Sequence, residues 1–183
     1  VNWADLDRND TIDSRDQVYM GNIFPKWTGG FSNYFTYKNL SVSIRTDFTL
    51  GHTIWNYARA VADGQLQGDL MPTKDFISKS WKKQGDVTST PRYLWQNSQG
   101  NVTRSSVYYE KGDFLCIREV SIGYNLPASL LRRVRLNGLR VNVTGSNLYY
   151  FTNYTGLNPE DGGSDNGRYP LPRTITMSVN ISL

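Results

Sequence analysis

The stretch that decides the fold of this chain is TITMSVNISL, the ten residues from Thr174 to Leu183. Small polar residues alternate with aliphatic residues without exception through this stretch. A period of two is typical of a β-strand with one apolar and one polar face. Strands of bacterial outer-membrane barrels alternate in this way, with apolar side chains toward lipid. Because the sequence ends on the last apolar residue of the strand, we expect a barrel strand.

Composition narrows the class of protein. The chain has 183 residues, of which 38% are hydrophobic and 13% aromatic. A mean hydropathy of -0.52 and the lack of any long apolar run exclude a transmembrane helix. The net charge of +4 is spread along the chain, so we expect no nucleic-acid partner. No signal peptide opens the chain, and since a barrel protein must be exported, we expect a piece of a longer protein.

Few residues suit catalysis. The single cysteine, Cys116, lies between two aliphatic residues and is predicted to be packed rather than reactive. The single histidine, His52, leaves little room for a triad or a metal centre. Glu160 and Asp161 are neighbours in a glycine-rich loop and lack the fixed separation of glycosidase carboxylates. We therefore predict no catalytic residue and no enzyme activity.

An acidic loop near the start has the spacing of a calcium-binding loop. With Asp5 as position 1, oxygen ligands fall at positions 1, 3, 5, 9 and 12, and a backbone carbonyl serves at position 7. The predicted ligands are Asp5, Asp7, Asn9, Thr11, Asp13 and Asp16. Asp10 replaces the usual glycine of the sharp turn, and Asp16 is shorter than the usual glutamate. Two interpretations remain open, a structural Ca²⁺ ion and a solvated acidic turn.

The clearest hairpin flanks the dipeptide Lys38-Asn39. A two-residue turn there pairs Tyr37 with Leu40 and Trp27 with Leu50, which puts the apolar residues of both strands on one face. Arg45 and Asp47 fall on the other face, as suits a water-filled lumen. Each strand has about eleven residues, enough to span a bilayer when tilted.

The remaining chain divides into strands and long loops. Strands are predicted at about 26–37, 40–50, 113–125, 139–150 and 173–183. Apolar residues in 113–125 change phase, so either a bulge lies near Arg118-Glu119 or the upper part of this strand projects beyond the membrane. We expect residues 1–25 to be an extracellular loop and residues 26–183 to belong to the barrel. Residues 51–112 are predicted as a long polar loop without regular structure, apart from one short helix near Asp75 to Lys83.

Several segments in combination resemble one family. They read EKGDFLCIREVSIGYNLP from Glu110 to Pro127, LRVNVTGSNL from Leu139 to Leu148, TNYTGLNPE from Thr152 to Glu160, and YPLPRT from Tyr169 to Thr174. Together with the acidic loop, they resemble the C-terminal end of SusC/RagA-type TonB-dependent outer-membrane transporters of Bacteroidetes. The resemblance covers nearly the whole chain. Cys116 and Leu183 depart from the family pattern, which more often has a basic residue and an aromatic residue at these places.

The resemblance implies an all-β fold, the C-terminal strands of a large antiparallel transmembrane β-barrel with long extracellular loops. It implies a location in the outer membrane, in contact with the lipid bilayer and with the N-terminal remainder of the same barrel. It also implies import of oligosaccharides or peptides together with a SusD-like lipoprotein, powered by the TonB complex through parts not in this chain. The alternative from the residues alone is a secreted β-sandwich that binds carbohydrate.

Loop aromatics are the predicted contacts for substrate or partner. Strand side chains face lipid or lumen, so the loops supply the free surface. Tryptophan and tyrosine anchor protein interfaces and stack on sugars. The candidate residues are Trp55, Trp81, Trp95, Tyr154 and Tyr169.

Overall fold

The computed structural model describes residues 4–11, 13–63, 71–88, 90–93, 105–132 and 135–182. Its strands are β1 (Trp27–Tyr37), β2 (Leu40–Leu50), β3 (Thr53–Asn56), β4 (Tyr109–Lys111), β5 (Phe114–Asn125), β6 (Gly138–Thr152), β7 (Ser164–Asp165) and β8 (Thr174–Ser182). Its helices are α1 (Tyr57–Ala62), α2 (Lys74–Lys79) and α3 (Ala128–Leu131). Short 3-10 turns lie at Ser14–Asp16 and Ser106–Tyr108. The predicted strand bounds agree with these to within two residues, and those of β2 agree at both ends. Leu183 lies outside the described residues.

Five antiparallel strands form the main sheet, in the order β1-β2-β5-β6-β8. In the β1–β2 hairpin, Trp27 lies opposite Leu50 and Tyr37 opposite Leu40, so the register predicted from the two-residue turn is confirmed. Lys38 takes a left-handed φ of 51° in this turn, the conformation that tight hairpin turns favour. Sequence alternation and turn length were therefore enough to set this pairing.

Registers across the sheet collect the apolar side chains on one side, the apolar face. It carries Trp27, Phe31, Phe35, Val42, Ile44, Phe48, Leu115, Ile122, Val143, Met177 and Ile181. The polar face carries Ser43, Asp47, Ser121, Thr144 and Thr176. On the central strands β5 and β6, Ile122 is 48% exposed and Val143 is 41% exposed on the apolar face, whereas Cys116 on the polar face is 0% exposed. The main sheet thus shows its apolar side outward, the reverse of a protein that folds in water.

A bulge at Arg118 keeps the apolar face continuous. The register of β5 against β6 shifts between Ile117 and Glu119, and the pairing with β2 shifts between Arg45 and Thr46. The predicted bulge is therefore confirmed. Without this extra residue, the apolar side chains on either side of it would point to opposite faces.

The segment 51–112, predicted to lack regular structure, is folded where the structure describes it. β3 pairs with β4 antiparallel and with β7 parallel, forming a second, three-stranded sheet. We use the name cap for the unit that consists of β3, α1, the 3-10 turn at 106–108, β4 and β7. Its core contains Ile54, Ala60 and Tyr108, all at most 3% exposed. The prediction was wrong here because these apolar residues are far apart in sequence and meet only through long-range pairing.

One helix outside the cap was predicted more closely. It runs from Lys74 to Lys79, shorter than the predicted 75–83. The Thr73 hydroxyl accepts a hydrogen bond from the Phe76 N–H at 3.3 Å, which explains where the helix begins. No helix among the described residues has the length and apolar character needed to cross a membrane.

Both long connections, 51–113 and 153–173, leave the same end of the main sheet, the loop end. Residues 126–137 and the tight turn at 38–39 form the opposite turn end. The segment before β1 also joins the loop end, because the Thr53 N–H donates to the Asn22 carbonyl at 2.7 Å. The loop end therefore gathers the segment before β1 and the two longest connections of the main sheet.

Candidate functional site

The acidic loop folds around its own carboxylates. One oxygen from each of Asp5, Asp7 and Asp16 lies within 4.8 Å of the others. Asp5 accepts hydrogen bonds from the N–H groups of Asn9 (3.2 Å) and Asp10 (2.8 Å). The two oxygens of Asp16 accept from the Leu6 N–H at 2.7 Å and the Asp13 N–H at 2.8 Å. Asp16 therefore closes the loop by tying its start to its end.

The outcome for the other predicted ligands is mixed. Asp10 adopts φ 60°, so it supplies the left-handed turn for which glycine is usual. The Asn9 side-chain oxygen accepts from the Thr11 N–H at 2.7 Å. Asp13 does not join the carboxylate group; its carboxylate pairs with Arg15 at 2.7 Å and caps the following 3-10 turn. The same Arg15 also pairs with Asp7 at 3.3 Å.

The converging acids differ in their electrostatics. Burial alone would raise the pKa of Asp5, but the backbone N–H groups of Asp10, Arg8 and Asn9 together lower it. Partial desolvation raises the pKa of Asp7, and the neighbouring carboxylates of Asp5 and Asp16 raise it further. Hydrogen bonds from Arg15 lower the pKa of Asp13. Concentrated carboxylate oxygens are the donor set that Ca²⁺ prefers, so three of the six predicted residues, with the Asn9 oxygen nearby in the chain, fit a calcium ion.

A second cluster lies on the polar face at the bulge. The Arg118 guanidinium donates to Asp47 at 2.6 and 2.9 Å and to Glu160 at 2.5 Å. It also donates to the Asn147 side chain at 3.0 Å. The Tyr150 hydroxyl donates to the same Glu160 at 2.5 Å. One arginine thus joins three strands to the loop 153–173, which it holds against the polar face.

Sequence reasoning missed this role of Arg118. The phase change at the bulge was visible, and a bulge commonly redirects a side chain. The partner Glu160 was considered only as a catalytic acid, and its place beside an arginine 42 residues earlier in the chain required the fold. The charge-assisted contacts between Arg118 and Glu160 are structural.

A third cluster centres on Glu110 and ties the cap to the same loop. Its carboxylate accepts from Arg59 at 3.1 Å, from Asn56 at 3.1 Å, and from the N–H and hydroxyl of Thr155 at 2.9 and 2.8 Å. Burial alone would raise the pKa of Glu110, but the donors of Thr155, Asn56 and Arg59 together lower it. Glu110 therefore remains ionised and holds residues from two long connections together.

The predicted aromatic contacts lie in different environments. Trp55 is half-buried, with its ring 4.9 Å from the ring of Tyr109 in the cap. Trp81 is also half-buried, whereas Tyr169 is 89% exposed. Tyr154 is only 6% exposed, and its hydroxyl donates to Asp165 at 2.9 Å. The structure therefore corrects the prediction for Tyr154, which packs in the interior, and Trp95 lies outside the described residues.

Comparison with known proteins gives consistent relatives. TonB-dependent receptor P3 of Formosa agariphila is 32% identical over 192 aligned residues, 98% of this chain and 18% of that protein. TonB-dependent receptor P39 of the same organism is 28% identical over 92% of this chain and 17% of its own length. The chain thus spans under a fifth of these relatives. No protein-family model matches it.

Solved structures agree with these relatives. The RagAB peptide importer in its open-open state matches with a TM-score of 0.73 and 25% identity, over 87% of this chain and 17% of that one. Its closed-closed state matches with a TM-score of 0.75 at 22% identity, over 94% of this chain and 20% of that one.

An antiparallel sheet with an outward apolar face and a polar inner face, with its long loops at one end, defines a segment of an outer-membrane β-barrel. The chain belongs to the SusC/RagA-type TonB-dependent outer-membrane receptors, as a part of their barrel. The predicted fold class, family and location are confirmed. The relatives are receptors and transporters, in agreement with the prediction that the chain is not an enzyme.

Proposed function

We propose that the receptor containing this chain imports oligosaccharides or peptides across the outer membrane. The observation that carries the proposal is the match to the RagAB peptide importer over 87% of the chain. The curated relatives, named TonB-dependent receptors, support an energy supply from the TonB complex through parts outside this chain. This chain supplies a section of the barrel wall and two of its long loops.

In this proposal the two faces of the main sheet contact different environments. The apolar face contacts lipid, and the polar face lines the barrel interior. The edge strands β1 and β8 pair with strands of the N-terminal remainder of the same barrel. The loop end faces the cell exterior, because barrels of this type carry short turns on the periplasmic side.

The loop end is also the proposed contact for a SusD-like lipoprotein lid. Its connections carry the exposed Tyr169 and the half-buried Trp81, and Trp95 remains a candidate by sequence. Aromatic side chains anchor interfaces with little loss of conformational entropy. The folded cap supports this role, because a preorganised surface loses less entropy on binding than a loose loop.

Genetic removal tests the import proposal. Deleting the gene of the whole receptor is expected to abolish growth on at least one oligosaccharide or peptide source, and a plasmid copy is expected to restore it. Replacing Trp81 and Trp95 with alanine is expected to weaken lid association while the barrel still assembles. Normal growth of the deletion strain on every such source contradicts import; lost assembly with unchanged lid association would show that these tryptophans only pack.

We further propose that Asp5, Asp7, Asn9 and Asp16 hold a structural Ca²⁺ ion. The support is the convergence of three carboxylates within 4.8 Å and the left-handed Asp10 at the turn. The ion would offset the repulsion among these carboxylates and stiffen the loop.

Calcium titration of the whole receptor tests this second proposal. Terbium luminescence or calorimetry is expected to show one site that Asp5→Asn with Asp7→Asn removes. Asp75→Asn is the control, because Asp75 pairs with Lys79 on an exposed helix. Chelation is expected to increase protease cleavage near residues 5–16. Cleavage that is independent of calcium, or an intact site in the double variant, supports the acidic turn instead.

A further inference from the structure

The polar face of the main sheet carries three arginines, one on each of β2, β5 and β6. Two of them have carboxylate partners, since Arg118 pairs with Asp47 at 2.6 Å and Arg45 pairs with Glu119 at 3.5 Å. The third, Arg140, forms no ion pair within the part of the chain that the structure describes. Asp47 and Glu119 are the only acidic residues in the five strands, so the sheet has no carboxylate left for Arg140.

The guanidinium of Arg140 has a defined position on this face. Its Nε donates to the Asn142 side-chain oxygen at 3.0 Å, and its Nη2 donates to the Ser41 hydroxyl at 3.0 Å. Ser41 lies on β2, two strands away from β6, so the arginine side chain crosses β5 to reach it. The side chain passes over Gly123, where a Cβ would lie 2.8 Å from Nη2. A residue without a side chain at position 123 therefore leaves the room that the guanidinium occupies.

The chain offers no negative charge at this place. Arg140 is the third residue of β6 and Ser41 the second of β2, so the guanidinium lies near the turn end. The turns there, 38–39 and 126–137, contain no aspartate or glutamate. Glu119 precedes Gly123 by four residues, about 13 Å along the strand. The neutral Ser41 and Asn142 accept hydrogen bonds but leave the charge of the half-buried guanidinium without a counter-ion.

A carboxylate can approach the guanidinium from above the polar face. The guanidinium lies over β5 and β2, and this chain itself supplies the flanking strands, β1 on one side and β6 with β8 on the other. Any strand that pairs with β1 or β8 is at least two strand spacings, about 10 Å, from β2. The open side is the one that lines the interior of the proposed barrel. The missing partner is therefore expected inside the barrel rather than on its wall.

The rest of the receptor is long enough to supply this partner. The chain spans 18% of the length of TonB-dependent receptor P3, so most of a protein of that size lies outside it. Large outer-membrane barrels can fill their interior with a segment of their own chain. Ser41 and Asn142 take up two N–H donors of Arg140, and the planar fork of a guanidinium matches a carboxylate.

We propose that Arg140 anchors an aspartate or glutamate of a receptor segment that fills the barrel interior. The ion pair holds that segment against the wall at the turn end, away from the loop end. The inference rests on the proposed barrel role of the polar face, and it adds a contact within the receptor that import alone does not require.

Carbodiimide cross-linking of the whole receptor tests this contact, because the reagent joins a lysine amine to a carboxylate only where the two meet. In Arg140→Lys, we expect a cross-link between position 140 and one aspartate or glutamate outside this chain, located by mass spectrometry. Arg45→Lys is the matched control and should be joined to Glu119 within the sheet. The proposal is overturned if position 140 gives no product while the control does, or if its product is with an acid of this chain or of another protein.

Loss of the charge measures how firmly the anchor holds. In Arg140→Gln, protease cleavage of the cross-linked segment is expected to be about tenfold faster, the effect of losing a charge-assisted contact. Arg45→Gln should leave cleavage unchanged, because both members of that pair lie on the sheet. Heat-modifiable migration in gels checks that each barrel has assembled. Unchanged cleavage in an assembled Arg140→Gln receptor overturns the proposal, and if this variant does not assemble, the cross-link decides.

A charge exchange separates an ion pair from general packing. Arg140→Glu, combined with lysine in place of the cross-linked carboxylate, should restore slow cleavage, and failure of this exchange in an assembled receptor counts against the ion pair. Import is judged separately by growth of the deletion strain, so either idea can fail alone.

Discussion

The main sheet and the cap place their apolar residues in opposite directions. In the sheet, Ile122 and Val143 on the central strands β5 and β6 are 48% and 41% exposed. In the cap, Ile54 is fully buried and Tyr108 is 3% exposed. The two regions of this chain are thus built for different environments, because an apolar face can remain outward in lipid but not in water. The difference shows that strand alternation is informative where lipid replaces a core, and much less so where the core is assembled from distant segments.

The two regions also use half-buried charged groups in the same way. Arg118 joins the sheet to the loop 153–173, and Glu110 joins that loop to the cap. Each cluster spans segments more than forty residues apart. Because charge-assisted hydrogen bonds need defined geometry, they fix where the loop lies rather than merely adding stability.

The largest effect is expected from Ile54→Ala in the cap. Removing a fully buried side chain should cost about 2–5 kcal/mol and unfold the cap locally. Hydrogen exchange should rise in β3 and β4 while the main sheet stays protected. Val107→Ala is the control, because Val107 is 57% exposed and should change stability by less than about 0.5 kcal/mol. Equal exchange in both variants would contradict a separate cap core.

A charge introduced on the apolar face should have the next largest effect on stability. Ile44 lies at the middle of β2, so Ile44→Arg should cost about 2–4 kcal/mol near the bilayer centre. Ser43→Arg, on the polar face, should have little effect. The measurement is the amount of receptor assembled in the outer membrane, together with lipid-soluble thiol labelling of cysteines placed at 42 to 45. Labelling at 43 and 45 rather than at 42 and 44 would reverse the assignment of faces.

Breaking the link between sheet and loop should have a smaller effect. Arg118→Met leaves Asp47 and Glu160 without their cation, at a cost of about 1–3 kcal/mol. The expected signature is faster hydrogen exchange at residues 156–165 with an intact sheet. Arg45→Met serves as the matched control, since its 3.5 Å pair with Glu119 is largely exposed and is worth under about 1 kcal/mol. An Arg118 effect spread over the whole sheet would show a general folding defect.

The smallest effect depends on pH. The pKa of Glu110 is lowered in the fold. The stability that the ionised Glu110 carboxylate contributes is therefore complete above pH 4.5, its ordinary pKa, and is lost as the pH falls through the lower pKa of the folded protein. Glu110→Gln should therefore weaken the cap by about 1 kcal/mol at neutral pH. This gap should close as the pH drops below 4.5. Asp75→Asn, on an exposed helix, should show no such gap; a pH-independent gap for Glu110→Gln would mean that shape rather than charge matters.

Features that depend on residues close together in the sequence were predicted correctly, and features that depend on distant residues were missed. The β1–β2 register and the bulge at Arg118 were predictable, because both depend on alternation between neighbours in sequence. The burial of Cys116 was predictable from its aliphatic neighbours, and it is 0% exposed. The folded cap was missed, and so was the burial of Tyr154, because a lone tyrosine in a polar loop has the same local sequence whether it is exposed or packed.

The sequence by itself determined the two-faced strands, the turn of the first hairpin, the acidic loop and the family. These features depend on periods and spacings that the chain carries locally. Only the tertiary structure decided that Arg118 holds Glu160 and that Glu110 gathers Arg59 and Thr155. The physical reason is that these contacts depend on which distant segments meet at the loop end, and loop-closing contacts leave no periodic trace in the sequence.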